Sequence, residues 1–110
     1  MEERDRQIVL ELRKRLPQEV QEHLSKLVVF GSRARGEEGD DSDLDVVALV
    51  DEKTPEIEKA LDAAAYSIMW DHDFRPVVSL KVFSEYDFHD AVRRGFPFTA
   101  TLIRRVLLFD

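Results

Sequence analysis

Two carboxylates two residues apart, Asp43 and Asp45, stand at the head of an apolar run, and ten residues (33 to 42) separate them from Gly31-Ser32. If the run 44–50 is a strand, Asp43 and Asp45 project to one face, because side chains alternate along an extended chain. Two hard oxygen ligands on one face suit Mg²⁺, which takes one or two protein carboxylates and fills its shell with phosphate oxygens and water. Gly31 can adopt backbone angles closed to other residues and lets a phosphate approach the main chain. Ser32 adds a hydroxyl donor, and a short helix starting there would aim its free backbone N–H groups at an anion. A metal so held bridges phosphates and offsets the charge that develops in phosphoryl or nucleotidyl transfer.

The surrounding elements must hold these groups in place. Residues 5–24 read as helical, with Ile8, Leu12 and Leu16 at i, i+4, i+8 and Val9 beside them. Pro17 interrupts the pattern, leaving a short second helix that carries Val20 and Leu24. Leu27-Val28-Val29-Phe30 is a β-branched apolar run ending at Gly31, the pattern of a buried strand feeding a tight turn. The second strand is 44–50. Thr54 and Pro55 suit the N-cap and first position of a helix whose apolar stripe (Ile57, Leu61, Ala64, Ala65, Ile68, Met69) carries it to about Trp70. Pro76 opens a third strand, Val77 to Phe83, and Ser84 with Asp87 forms a capping-box-like pair before a helix bearing Phe88, Ala91 and Val92. Gly95 stops that helix. The tail from Phe98 to Asp110 reads as a short helix followed by an apolar end. The order predicts an α+β layer of helices on a small sheet.

With 110 residues the chain fits one domain, 1–110, and is too short for two independent cores. An apolar fraction of 44% permits a packed core. The net charge of −7 repels nucleic-acid phosphates and argues against broad nucleic-acid binding. The absence of cysteine excludes disulfides and thiolate metal sites. No apolar run approaches the ~20 residues that span a bilayer, and the opening MEERDRQ is charged, so no membrane contact and a cytoplasmic setting are expected.

The stretch Phe30-Gly31-Ser32-Arg33-Ala34-Arg35-Gly36, then Asp41-Ser42-Asp43-Leu44-Asp45, resembles the signature of minimal nucleotidyltransferases of the DNA polymerase beta-like superfamily. A lone Asp-x-Asp occurs by chance in any acidic loop, whereas the composite with strand and turn context is far more specific. The resemblance covers nearly the whole chain, since the flanking helices and the third strand also arrive in the family's order. It implies a nucleotidyltransferase fold: a small mixed sheet with core strands in order 1-2-3 and helices packed on one side. It also implies Asp43 and Asp45 as catalytic metal ligands, two Mg²⁺ ions, and a nucleoside triphosphate, ATP foremost. Gly31, Ser32 and Arg33 would meet the nucleotide. Arg33 suits triphosphate oxygens but equally suits pairing with the acids beside it.

One position departs from the pattern. Active members of the superfamily usually carry a third carboxylate on the third strand, as metal ligand and as general base. Here that strand, Pro76-Val77-Val78-Ser79-Leu80-Lys81-Val82-Phe83, has no acid, and Ser79 looks like the third position. A serine hydroxyl is a poor Mg²⁺ ligand beside a carboxylate and no base near neutral pH. Catalysis would then need an alkoxide-prone or already ionised acceptor, or another acid nearby such as Asp71 or Asp73, just upstream. The resemblance therefore implies either of two functions. One is transfer of a nucleoside monophosphate to an acceptor hydroxyl. The other is a catalytically weak nucleotide-binding antitoxin that acts on a HEPN-domain protein in a toxin–antitoxin module.

Other features have plainer readings. The acids of 37–41 suit a solvated loop. Asp71-His72-Asp73 invites a metal, but consecutive residues alternate in direction. Trp70 with Phe74 reads as core or interface. The apolar cluster of Phe96, Phe98, Leu102, Ile103, Val106, Leu107, Leu108 and Phe109 exceeds what so small a sheet needs, so a homodimer or an obligate partner is expected.

Overall fold

Apolar spacing and end signals set most of the elements. The computed structural model describes residues 3–30, 43–95 and 107–109. Gly31, Ser32, Arg33, the acidic loop and most of the apolar tail lie outside them. Helix α1 (Glu3–Lys14) buries Ile8, Val9 and Leu12, and α2 (Gln18–His23) follows Pro17. Strand β1 (Leu24–Phe30) begins directly after α2, earlier than the helical reading of Leu24 expects. Strand β2 (Leu44–Val50) leads to α3 (Pro55–Asp71), where Thr54 Oγ1 accepts a hydrogen bond from Ile57 N at 3.2 Å. Strand β3 (Val78–Ser84) runs into α4 (Glu85–Arg94), and Ser84 Oγ accepts from Asp87 N at 3.1 Å. Gly95 closes α4 in the left-handed region at φ 73°, which a residue without Cβ enters at no steric cost. The apolar end of the tail contributes β4 (Leu107–Phe109).

The sheet order is β3-β2-β1-β4. Strands β1 and β2 pair antiparallel and β2 and β3 pair parallel, so the core follows the order 1-2-3. Strand β4 lies antiparallel along the outer edge of β1, with Val28 opposite Leu108. A register shift between Leu24 and Lys26 marks the start of β1. The extra residue turns both Leu24 and Leu27 to the helical face, which strict alternation would forbid.

Alternation along β2 divides the sheet into two faces. Leu44, Val46, Ala48 and Val50 face α1 and α3, in a core that includes Leu12, Leu61 and Ile68. Val47 and Leu49 face the other way and join Val28, with Phe83 and Phe88 packed against them. Helices α1 and α3 thus make the layer on one side, and α4 adds a small cover on the opposite side through Phe88.

An ion pair fastens the hairpin end far from Asp43. His23 Nδ1 lies 2.8 Å from Asp51 Oδ1, and Asp51 N donates to His23 O at 3.0 Å. The hydrogen bond to Asp51 raises the His23 pKa above 6.5, and its counterpart lowers Asp51 below 3.8. The Asp51 contribution is present above 3.8 and lost as pH falls through its lowered value. The His23 contribution is full below 6.5 and lost as pH rises through its raised value. The pair therefore stabilises the fold between the two folded-state values. An NMR titration should place the His23 midpoint above 6.5 and return it toward that value in Asp51→Asn. An unchanged midpoint would show that the pair does not persist in solution.

Candidate functional site

Asp43 immediately precedes β2 and is exposed, and Asp45 is its second residue and half-buried. Asp45 shares the alternation of Val47 and Leu49, so it lies on the face away from α1 and α3. Asp43, two residues earlier, has the same parity. The Asp45 carboxyl is raised above its ordinary pKa, first by partial burial, then by repulsion from Asp43, against a pull downward from Lys81. Two carboxylates on one sheet face that feel each other's charge make a place where a cation relieves both burial and repulsion. Their hard oxygens fit Mg²⁺.

Strand β3 supplies the neighbouring column. Asp45 pairs in register with Ser79, and Leu44 with Val78. Val78 is buried with Leu80 and Val82 against it in the helical core, so Ser79 belongs to the face of Asp45. The start of β3 is pinned beside the start of β2 by Leu44 N donating to Val77 O at 2.8 Å. The position opposite the second aspartate of the Asp-x-Asp is therefore a half-buried serine.

The two upstream acids have other settings. Asp71 Oδ2 accepts from Arg15 Nη2 at 2.6 Å, while Arg15 also donates to Ser67 Oγ and Glu11 Oε1. Asp71 is thereby tied to the helical layer, away from the face of Asp45. Asp73 sits in the turn between α3 and β3, at φ 55°. Among the described residues, no three His, Cys, Asp or Glu side chains are grouped to hold a metal, so Asp71-His72-Asp73 is not such a site. Gly31, Ser32 and Arg33 lie outside the described residues, at the break between β1 and β2.

Two features were not drawn from the sequence. Lys81 lies two residues beyond Ser79, and the same alternation places it on the same face. Tyr66 extends the pair Trp70 and Phe74 to an i, i+4, i+8 series, and the three rings meet edge-on with centroids 5.3 to 6.1 Å apart. Tyr66 and Trp70 are 54% and 61% exposed. Elsewhere, a surface cleft of about 250 Å³ is lined by Tyr86, His89, Asp90 and Arg93 on α4. Asp90 there is paired with both Arg93 and Arg94, and none of the site residues borders the cleft.

A crystal structure of a toxin–antitoxin with AMP-PNP matches with TM-score 0.57 and 19% identity, covering 94% of this chain and 70% of the other. A crystal structure of a candidate nucleotidyltransferase from Sulfolobus solfataricus matches with TM-score 0.47 and 23% identity, covering 94% and 73%. Comparison with curated proteins found no match. The family model described as "Nucleotidyltransferase domain" matches residues 9–101, most of the sequence, and the chain belongs to that family.

Proposed function

We propose that the chain binds a metal complex of a nucleoside triphosphate, ATP foremost, at Asp43 and Asp45, and transfers its nucleoside monophosphate to an acceptor hydroxyl. The observation that carries this reading is the shared face of the coupled pair Asp43 and Asp45, with Asp45 in register with Ser79. In the transfer, the acceptor oxygen forms a bond to the α-phosphorus and the bond to the β-phosphate oxygen breaks. Pyrophosphate leaves with the electron pair. The chemistry a divalent ion supplies when held by Asp43 and Asp45 is neutralisation of the charge spread over the phosphate oxygens. Asp45 fixes the ligand geometry because β2 is a central strand of the sheet. Gly31, Ser32 and Arg33 receive the phosphates.

The acceptor's proton is the weak link. Ser79, opposite Asp45, is no base near neutral pH, so the proton passes to solvent water. This favours a second reading in which the chain acts mainly by binding a partner, as the antitoxin of a two-protein module with a HEPN-domain protein. The exposed rings of Tyr66 and Trp70, packed edge-on with the half-buried Phe74, support a protein partner, because contiguous exposed aromatics mark interaction surfaces. The fold shared with a toxin–antitoxin solved with AMP-PNP accords with both readings. A second copy of the chain is the alternative occupant of that surface. Among the described residues no helix is long and apolar enough to cross a membrane.

Incubation with ATP labelled at the α-phosphate and Mg²⁺, alone and with the protein encoded next door, tests the reading. Label on the partner, on an RNA end or on a small hydroxyl compound, with release of pyrophosphate, supports transfer. Nucleotide binding without label transfer under either condition leaves the antitoxin reading. Trp70→Ala should weaken the complex with the partner by about thirtyfold, as loss of a buried interface tryptophan costs ~2 kcal/mol or more. Nucleotide affinity should be untouched. Unchanged complex stability in sedimentation would remove the aromatic trio from the interface.

A further inference from the structure

Strand β3 is an edge of the sheet, since the order is β3-β2-β1-β4. Its backbone groups point alternately toward β2 and away from it. Leu44 N donates to Val77 O at 2.8 Å, so residue 77, and by alternation 79, 81 and 83, bond to β2. The N–H and C=O groups of Val78, Leu80 and Val82 therefore point outward. The Val78 N–H donates to Met69 Sδ of α3 at 3.3 Å. Among the described residues no strand pairs with the outward groups of Leu80 and Val82. Exposure agrees: Leu80 and Val82 are only half-buried, whereas Val46 and Ala48, their register partners on β2, are 0% exposed.

An edge is ordinarily blunted by a bulge, an internal proline or several charges. Strand β3 keeps an unbroken register with β2, has no proline between Val78 and Ser84, and carries Lys81 as its single charge. Lys81 lies on the face of Asp45, away from the helical layer. An extended and mainly apolar strand is thus left as a template for another.

The helical layer beside this edge selects what can add to it. Arg15 holds Ser67 and Asp71 on the α1 side of α3, and Met69 marks the opposite flank, above the start of β3. Asp62, two helical turns before Met69, shares that flank and is exposed. Asp62, Tyr66 and Trp70 follow one another at i, i+4, i+8, with both rings exposed. Helix α3 carries Glu56, Glu58, Asp62 and Asp71 against the single cation Lys59, so its surface is acidic. An ammonium or guanidinium entering along β3 meets a carboxylate and two ring faces, the setting of a cation–π contact. A second copy of the chain does not supply this. Two β3 edges paired about a two-fold axis bring α3 beside its own image, Asp62 flank against Asp62 flank. Each copy also carries a net charge of −7.

Resting on the partner reading above, we propose that the partner protein docks by adding an extended segment as a further strand on the outer edge of β3. An arginine or lysine of that segment sits against Asp62 and the rings of Tyr66 and Trp70. The outward groups of Leu80 and Val82 supply main-chain hydrogen bonds, and the acid and rings select the partner.

Amide hydrogen exchange of the ¹⁵N-labelled chain, alone and in complex with the protein encoded next door, tests this residue by residue. In the chain alone, Leu80 and Val82 should exchange faster than Lys81 and Phe83, whose N–H groups bond to β2. In the complex, Leu80 and Val82 should slow to the rate of those neighbours. Asp62→Lys, at an exposed position where circular dichroism should find the fold intact, should weaken the complex about tenfold, the cost of setting like charges together. Leu80 and Val82 as slow as Lys81 and Phe83 in the dilute chain alone would overturn the proposal, because the edge would already be paired. Slowing that grows with the concentration of the chain alone would overturn it too, by making a second copy the occupant. A complex in which Leu80 and Val82 stay fast, or one indifferent to Asp62→Lys, would overturn it while leaving the partner reading standing. Failure of the two proteins to associate would overturn the partner reading and this proposal with it.

Discussion

Ser79→Asp should raise the rate of nucleotidyl transfer by about 10²–10⁴-fold, the usual worth of general-base catalysis. The expectation comes from register: residue 79 lies directly across from Asp45, on the same face of the sheet. A carboxylate placed there would be both a third oxygen ligand and an acceptor for the proton of the attacking hydroxyl. Lys81, two residues on, would moderate the repulsion among three acids. The rival is Asp73, in the turn that precedes β3. If Asp73 already serves as base, Ser79→Asp adds only repulsion, and Asp73→Asn is the substitution that removes turnover. Asp71 is a poorer rival because Arg15 holds it in the helical layer. Initial rates of α-labelled transfer for the intact chain and the two variants separate these cases.

Replacing Asp43 and Asp45 together by Asn should abolish Mg²⁺-dependent nucleotide binding and leave the fold at least as stable as before. The two effects have opposite signs because the carboxylates serve binding at the expense of stability. The Asp45 pKa is raised in the folded chain, chiefly by burial and next by Asp43. A raised carboxyl pKa means that its stabilising share is present below the unfolded value and is lost as pH rises through the folded one. At neutral pH the ionised pair is therefore a cost to the metal-free chain, which the amides remove. Thermal unfolding at neutral pH should show an equal or higher midpoint for the double variant, and the difference should shrink in acid, where Asp45 is protonated in both states. Calorimetric titration with AMP-PNP and Mg²⁺ should show affinity reduced by about 100-fold or more, since the ion loses both of its anionic protein ligands. A variant that binds nucleotide normally would dissociate these residues from the metal.

Much of this arrangement is legible in the residues because it is local. Alternation alone puts Asp43 and Asp45 on one face, and Thr54-Pro55 and Ser84…Asp87 mark helix starts that the structure places at the same residues. The composite of Gly31-Ser32 and Asp43-Leu44-Asp45 carries the family. What escapes a sequence reading depends on pairing between distant segments. The shift between Leu24 and Lys26 exists only against β2, so nothing in the residues of β1 announces it. The pairing of β4 with β1 joins residues some eighty apart, and an apolar tail reads equally well as helix or strand. The side of the sheet on which α4 lies is set by Phe88 meeting Phe83 and the Val28–Val47 face. Lys81 is a different case. Its parity with Ser79 is legible in the sequence, but its place one step along β3 from the residue opposite Asp45 depends on the β2–β3 register.

The proposed metal–nucleotide complex sits on the β2–β3 face at Asp43 and Asp45. Its most direct test is paramagnetic broadening in the ¹⁵N-labelled chain titrated with AMP-PNP and trace Mn²⁺, because broadening falls off steeply with distance from the ion. Amide signals of 43–46 and of Ser79 and Leu80 should broaden first, while those of Asp51 and of the middle of α3 persist. Broadening centred instead on Asp71 to Asp73 or on the cleft of α4, with the β2 amides sharp, would contradict it.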